Sequence, residues 1–227
     1  MAFSEILLTL LSGFGYTVLL FIITLAVSMP FGLLISFGSR SKIKPIKAVS
    51  RGFVWIIRGT PLILQILLVT LVPHYLFGVA NTAIMDFFGI KMKTLLFSYA
   101  CIAFIINYAC YFSEIFRGGI EGISKGQYEA GMVLGMTKSQ IFFKVVLMQV
   151  VKKTLAPISN EVITLVKDTA LASTAGVIEL YTAAESLVNK YVVLTPLLYA
   201  AIFYLIFNGL LTILFNFLEK KMDFYRD

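Results

Sequence analysis

Five largely apolar stretches alternate with polar segments along the chain, each near or above the roughly 20 residues that carry a helix across a bilayer. They fall at about 14–38, 54–77, 95–116, 145–166 and 194–218. The pattern predicts an all-α integral membrane protein, a single domain over 1–227 with five transmembrane helices and its termini on opposite sides. A polar insert at about 118–144 separates the third stretch from the fourth, and it has a pattern of its own. Ser124 with Gln127, and Thr137 with Gln140, fit capping boxes, and Gly135 between them suits a left-handed helix stop. A short helix, a bend and a second helix re-entering apolar sequence at Ile141-Phe142-Phe143 are therefore expected. Order of this kind in a connecting loop calls for something that docks on it.

Composition supports the membrane reading. Of 227 residues, 59% are hydrophobic and only 14% charged, and mean hydropathy is +0.91, outside the range of soluble domains. The first stretch does not fit a cleavable leader, because Glu5 stands where a basic segment would be and the apolar run is too long. The net charge of +7 is unevenly placed. Arg40, Lys42, Lys44, Lys47 and Arg51 lie between the first two stretches; Arg117, Lys125, Lys138, Lys144, Lys152 and Lys153 lie in and around the insert; Lys220, Lys221 and Arg226 lie in the tail. The opposite side holds Lys91, Lys93 and Lys190. The positive-inside rule then places the N-terminus outside and the insert and C-terminus in the cytoplasm. Topology accounts for these charges, so nucleic acid is not expected as a partner.

Candidate chemistry is sparse. Cys101 and Cys110, nine positions apart on one predicted helix, have Cα atoms roughly 13.5 Å apart at 1.5 Å per residue, too far for a disulfide, and read as packing residues. His74, beside Pro73, has no second ligand at helical spacing, so no metal site is expected. The chain has no GxSxG, HExxH, zinc-spaced Cys pair or Walker-type phosphate loop. It is not expected to be an enzyme, and any ATP-driven work would need a separate ATPase.

Polar groups at membrane depth mark function or pairing. Glu114 and Arg117 are three apart on one predicted helix, which fits either a structural ion pair or a functional one. Glu161 and Asp168 are seven apart, two helical turns, and would share a face. Either Lys167 neutralises one of them, or they line an aqueous cavity that receives an ammonium group. Arg58-Gly59-Thr60-Pro61 precedes an apolar run, with Pro61 tolerated near a helix start, Arg58 expected at the cytoplasmic boundary, and Gln65 facing the bundle as interhelical glue or as a ligand contact.

The insert resembles the EAA loop of bacterial ATP-binding cassette (ABC) importer permeases. The pattern of E-A-A, three residues, G, nine residues and I-x-L-P falls on Glu129-Ala130-Gly131, Gly135 and Val145-Val146-Leu147-Met148. Gly131 replaces the second alanine and Met148 the proline, the latter a change that could move the start of the next helix. Ile57-Arg58-Gly59-Thr60-Pro61-Leu62, Ser113 to Ile120, Lys125-Gly126-Gln127, Asn160-Glu161 and Lys167 to Ser173 follow in the order found in polar amino acid permeases, the group serving histidine, arginine, glutamine, glutamate and cystine uptake. The segment at 78–93 is the least family-like, and its role is unassigned.

The resemblance implies a type I importer permease in the bacterial cytoplasmic (inner) membrane. Its partners would be an ABC ATPase carrying ATP and Mg, a second permease subunit as homodimer or heterodimer, an extracytoplasmic amino-acid-binding protein, and lipid. Gln127, Glu129, Ala130, Gly131 and Gly135 would form the coupling helix, with Ala130 and Gly131 allowing close approach and Glu129 making a polar contact. Gln65, Asn107, Glu161 and Asp168 would line a substrate cavity for a polar amino acid, with a bias toward a cationic one. The alternatives are a self-sufficient secondary transporter or channel for small solutes, which the lack of an internal repeat disfavours, and a membrane enzyme or assembly factor, which the lack of a catalytic cluster disfavours.

Overall fold

A computed structural model describes residues 3–222; Arg226, counted above in the basic tail, lies outside them. The described residues are helical throughout, with no strand among them. Three helices are long and apolar enough to cross a membrane: α1 (Phe3–Ser39), α5 (Met92–Glu121) and α10 (Thr195–Met222). A fourth crossing is reached if α2 (Lys44–Arg58) and α3 (Leu62–Tyr75), which meet at a bend of 104°, count as one. The expected five spans are thus three, or up to four, by length and apolarity. Each long helix also extends beyond the run that predicted it: α1 starts earlier through the apolar Ile6 to Leu11, and α5 and α10 continue through polar last turns.

The stretch at 54–77 breaks because Gly59, Thr60 and Pro61 follow one another. Gly59 ends α2, and Pro61 takes an extended conformation (φ −61°, ψ 138°) before α3 begins at Leu62. The stretch at 145–166 becomes α8 (Leu147–Asp168). It fails as an apolar span because Lys152, Lys153, Glu161, Lys167 and Asp168 all fall on it. The weakly conforming segment at 78–93 contains α4 (Asn81–Phe88), closed by Gly89 in the left-handed region at φ +63°. Asn81 Oδ1 accepts a hydrogen bond from Tyr99 Oη on α5 at 3.1 Å.

α5 is the hub, packed against α1, α2, α3 and α8. Small residues on α1 make that packing close: Gly13, Thr17, Thr24, Ser28, Gly32 and Ser36 recur at spacings of four or seven and are all buried. A Cβ on Gly32 would sit 2.8 Å from the Ala109 carbonyl oxygen and from Phe112 Cβ of α5. Without a hydrophobic drive between helices in lipid, backbone approach of this kind holds spans together. Phe104, Tyr108 and Phe112 of α5 fill the core beside Leu20, Ile66 and Leu165. Cys101 and Cys110 are free and buried within α5. Leu205, Leu210 and Ile213 of α10 and Leu19, Ile22 and Leu34 of α1 point outward, as lipid-facing side chains do.

After α8 a 3₁₀ segment (Thr169–Ala175) leads to α9 (Leu180–Tyr191), which lies against α1. Glu179, fully buried, caps α9: its carboxylate accepts from the amides of Tyr181 (2.7 Å) and Thr182 (2.8 Å), the Thr182 hydroxyl (2.9 Å) and Tyr204 Oη of α10 (3.0 Å). Thr17 Oγ1 of α1 accepts from the Leu180 amide at 3.1 Å. One carboxylate thereby fastens α9 and α10 together beside α1, and nothing in the apolar pattern pointed to it.

Candidate functional site

The insert folds into α6 (Lys125–Val133) and α7 (Lys138–Ile141). Gly135 stands between them at φ +71°. Its amide donates to the Met132 carbonyl at 2.9 Å, and the Met136 amide to that of Gly131 at 3.0 Å, the paired bonds of a Schellman stop. Thr137 and Gln140 form the expected capping box, with both reciprocal bonds present (2.8 and 3.3 Å). The first box forms only in part. Ser124 Oγ accepts from the Gly126 amide at 3.2 Å, while the Gln127 side chain turns away and accepts from Gln149 Nε2 of α8 at 3.2 Å.

The two small residues of the insert face opposite ways. Ala130 is exposed beside Glu129, whereas Gly131 is buried against Ile141, where a Cβ would lie 2.6 Å from Ile141 Cγ1. Glycine in place of alanine therefore sets how tightly α6 folds onto α7. Met132, Val133 and Leu134 leave the tip of α6 with an apolar surface, Val133 being 87% exposed. Beyond α7 the backbone passes through one π turn (Phe142–Val146) into α8 without interruption. Met148, unlike a proline, lets the helix run on through this point.

Between α2, α3, α5 and α8 lies an open cavity of about 470 Å³. Three of the four predicted residues line it: Asn107 from α5, and Glu161 and Asp168 from α8. The two-turn spacing of the carboxylates does bring them to one face. Asp168 Oδ2 accepts from Tyr108 Oη at 2.7 Å. Among the described residues, neither Glu161 nor Asp168 has a cation within 4.0 Å, and Lys167 is exposed. Gln65 stands one bond behind. Its Nε2 donates to the carbonyls of Ile57 (2.7 Å) and Thr60 (3.0 Å) and to Thr60 Oγ1 (2.9 Å), and its Oε1 accepts from Asn107 Nδ2 at 3.0 Å. It satisfies carbonyls released by the α2–α3 break, and its reach toward the cavity runs through Asn107. Changing Gln65 to Leu leaves those groups unpaired at about 1–3 kcal/mol for each that stays buried; a fall in the thermal midpoint of the purified protein is the expected readout.

Arg58 is on the cavity wall. Its guanidinium carbon lies 5.0 Å from the ring centre of Tyr111, and Nη1 is 3.6 Å from Glu114 Oε2. Glu114 is held in the fork of Arg117, at 2.9 and 2.6 Å. The predicted i,i+3 pair is therefore real, and it extends through Glu121 (2.6 Å) to Arg40 at the end of α1 (4.0 Å). Sequence reasoning missed Tyr108, Tyr111 and Thr164 as cavity residues. Thr164 falls three after Glu161, and Tyr111 four after Asn107, so helical spacing from the predicted residues would have found both. His74 sits in the last turn of α3, its ring 5.1 Å from that of Tyr75.

Known proteins share both the sequence and the arrangement. Residues 28–224 match the family described as binding-protein-dependent transport system inner membrane component. The chain is 34% identical over 215 residues to the L-cystine transport system permease protein TcyB of Bacillus subtilis, covering 94% of this chain and 86% of that one. It is 31% identical over 214 residues to the probable glutamine ABC transporter permease protein GlnM of Bacillus subtilis, covering 94% and 93%. A crystal structure of an amino acid ABC transporter with histidines superposes with a TM-score of 0.79 at 28% identity, over 96% of each chain. An inward-facing MetNI methionine ABC transporter shares the fold, with a TM-score of 0.68 at 16% identity over 98% and 99%. The chain belongs to this family of inner-membrane transport components, and within it is a non-catalytic permease subunit of the bacterial ABC importers for polar amino acids.

Proposed function

We propose that this chain forms half of an amino acid pathway whose substrate rests in the α2–α3–α5–α8 cavity, with its ammonium on Glu161 and Asp168. The observation that carries this reading is the pair of carboxylates on one wall of an open cavity, with no cation among the described residues within 4.0 Å of either. Two half-buried anions at membrane depth are costly unless a cation or water reaches them. Arginine, lysine or histidine would bring a second positive charge; relatives named for cystine, glutamine and arginine share the α-ammonium and α-carboxylate. Two of the charges of α8, Glu161 and Asp168, line the cavity, and α8 serves as a further crossing in spite of its composition; with α2 and α3 counted as one crossing, the total is five. The N-terminus is then outside, and the basic segments lie in the cytoplasm.

The second permease subunit is a copy or a relative of this chain, and an extracytoplasmic binding protein delivers the substrate. The α6–α7 turn, with Gln127, Glu129, Ala130 and Gly135 and the apolar tip at Met132 to Leu134, is the dock for the ATPase; Gly131 acts from beneath by setting its shape. Co-purification from native membrane tests the assembly: an ATPase at equal stoichiometry with a retained amino acid supports it, and a chain that purifies alone sinks it. Asp168→Asn tests the cavity. Asparagine still accepts the Tyr108 hydrogen bond but removes the charge, so the KM for transport should rise about tenfold or more while the ATPase stays bound. Unchanged transport kinetics would remove Asp168 from the pathway.

A further inference from the structure

Helix α2 carries an apolar face that nothing in the chain covers. Ile46, Val49, Phe53 and Ile56 recur along it at intervals of three and four, and all four are exposed. Lys44, Lys47, Arg51 and Arg58 form a second stripe, and at about 3.6 residues per turn the two stripes fall on opposite sides of the helix. The edge between them holds α2 to the bundle: Val54 is buried, Ser50 Oγ fills the space beside Gly38, and Arg51 Nε donates to the Ser39 carbonyl at 3.2 Å. α3 leaves α2 at a bend of 104°, so when α3 runs across a bilayer, α2 lies close to the plane of that bilayer. Among the described residues, Lys44, Lys47 and Arg51 have no carboxylate within 4.0 Å. The sequence has no Asp or Glu at all from Ile6 to Met85.

We propose that α2 is an interfacial helix that docks on anionic phospholipid, with its apolar stripe among the acyl chains and Lys44, Lys47 and Arg51 on the headgroup phosphates. A helix with one apolar and one basic face settles at the boundary between acyl chains and headgroups, and basic segments beside a membrane crossing draw anionic lipid. Charge argues against a second copy of this chain as the occupant, since the copy brings the same cations and no acidic residue on its own α2. The last turns of α1, against which α2 packs, also present Phe31, Leu34 and Phe37 outward, so the apolar stripe continues a lipid-facing surface. With α1 ending in the cytoplasm, as proposed above, the leaflet concerned is the cytoplasmic one. The bilayer then helps to hold the α2–α3 bend, because straightening it would lift Ile46, Val49 and Phe53 out of the acyl chains.

Trp55 is the one tryptophan of the chain, which gives the test a local probe. Phe53→Trp combined with Trp55→Phe moves that tryptophan onto the apolar stripe, and Val49→Trp with Trp55→Phe repeats it about one turn away. The whole complex with its ATPase is placed in phosphatidylcholine vesicles doped with lipid brominated on the acyl chains, either phosphatidylglycerol or phosphatidylcholine. Trp55→Phe alone supplies the background from the partner subunits, and lipid present in both leaflets frees the result from the orientation of the chain. Both brominated lipids should quench the probe. Brominated phosphatidylglycerol should associate about 5- to 25-fold more strongly than brominated phosphatidylcholine, as expected for one or two basic residues beside an anionic headgroup. Lys44→Gln with Lys47→Gln should lower that preference by about fivefold or more. Absence of quenching by either lipid would mean that protein, such as the second permease subunit, covers the face, and overturns the proposal. Equal quenching by the two lipids, or a preference that survives loss of both lysines, overturns the recognition of anionic headgroups by α2.

Discussion

Replacing Gly135 with proline is expected to cut transport at least about tenfold while leaving the chain inserted in the membrane. Proline holds φ near −65°, whereas Gly135 sits at +71°. It also lacks the amide that donates to the Met132 carbonyl. Forcing a residue out of its backbone region costs about 1–3 kcal/mol, and the lost bond adds to that, enough to unfold the turn between α6 and α7. The exposed surface of α6 would then no longer be presented at a fixed angle to α8. Gly135→Asn is the matched control, since asparagine tolerates the left-handed region and keeps its amide; it should retain most transport. Membrane fractionation, transport and ATPase co-purification separate the outcomes. Loss of insertion with Gly135→Pro would mean that the loop is needed for folding, and normal transport would mean that the turn geometry is irrelevant to coupling.

The second large effect is on stability. Glu179→Ala removes the acceptor for two amides and two hydroxyls in a fully buried site. Each donor left unpaired costs about 1–3 kcal/mol, and loss of the helix cap adds to this. A total of about 3–5 kcal/mol after partial relaxation is expected, within the range reserved for broken buried networks. Glu179→Gln keeps one carbonyl oxygen for the Thr182 amide and hydroxyl, and should fall between. Thermal unfolding of the detergent-solubilised protein reads the series, and an unchanged midpoint for Glu179→Ala would show that α9 is held by packing alone.

These two residues also mark the boundary of what could be read from the chain. The Gly135 turn was legible because its chemistry is local: a glycine for positive φ and a capping box at Thr137 and Gln140 lie within six positions. The same holds for Glu114 with Arg117, and for Glu161 with Asp168, since each pair sits on one helix face. Glu179 was hidden because glutamate is not a favoured cap residue, so its local bonds to Tyr181 and Thr182 carried no signal, and its other partner, Tyr204, is 25 positions away. The apolar windows also averaged over the Gly59–Pro61 break, so one run became two helices, and the basic stretch before it concealed α2. That Arg58 reaches the cavity wall was hidden for the same reason, since it depends on a bend that no periodicity reports. Tyr108 and Tyr111 were lost among twenty phenylalanines and eleven tyrosines in the chain, most of which face core or lipid.

The unbroken helical path from Lys138 to Asp168 has the proportions of a lever. Its residues span about 45 Å at 1.5 Å per residue, with a single proline, Pro157, inside it. The Lys138 end sits on the α6–α7 turn, and the Asp168 end on the wall of the cavity. A tilt of about 5° about one end of a rod of this length carries the other through about 4 Å, more than the length of a hydrogen bond. A tilt of that size is therefore enough to carry Asp168 out of hydrogen-bond reach of Tyr108, so that, on the proposed function, the cavity would answer to the α6–α7 turn with no hinge of its own.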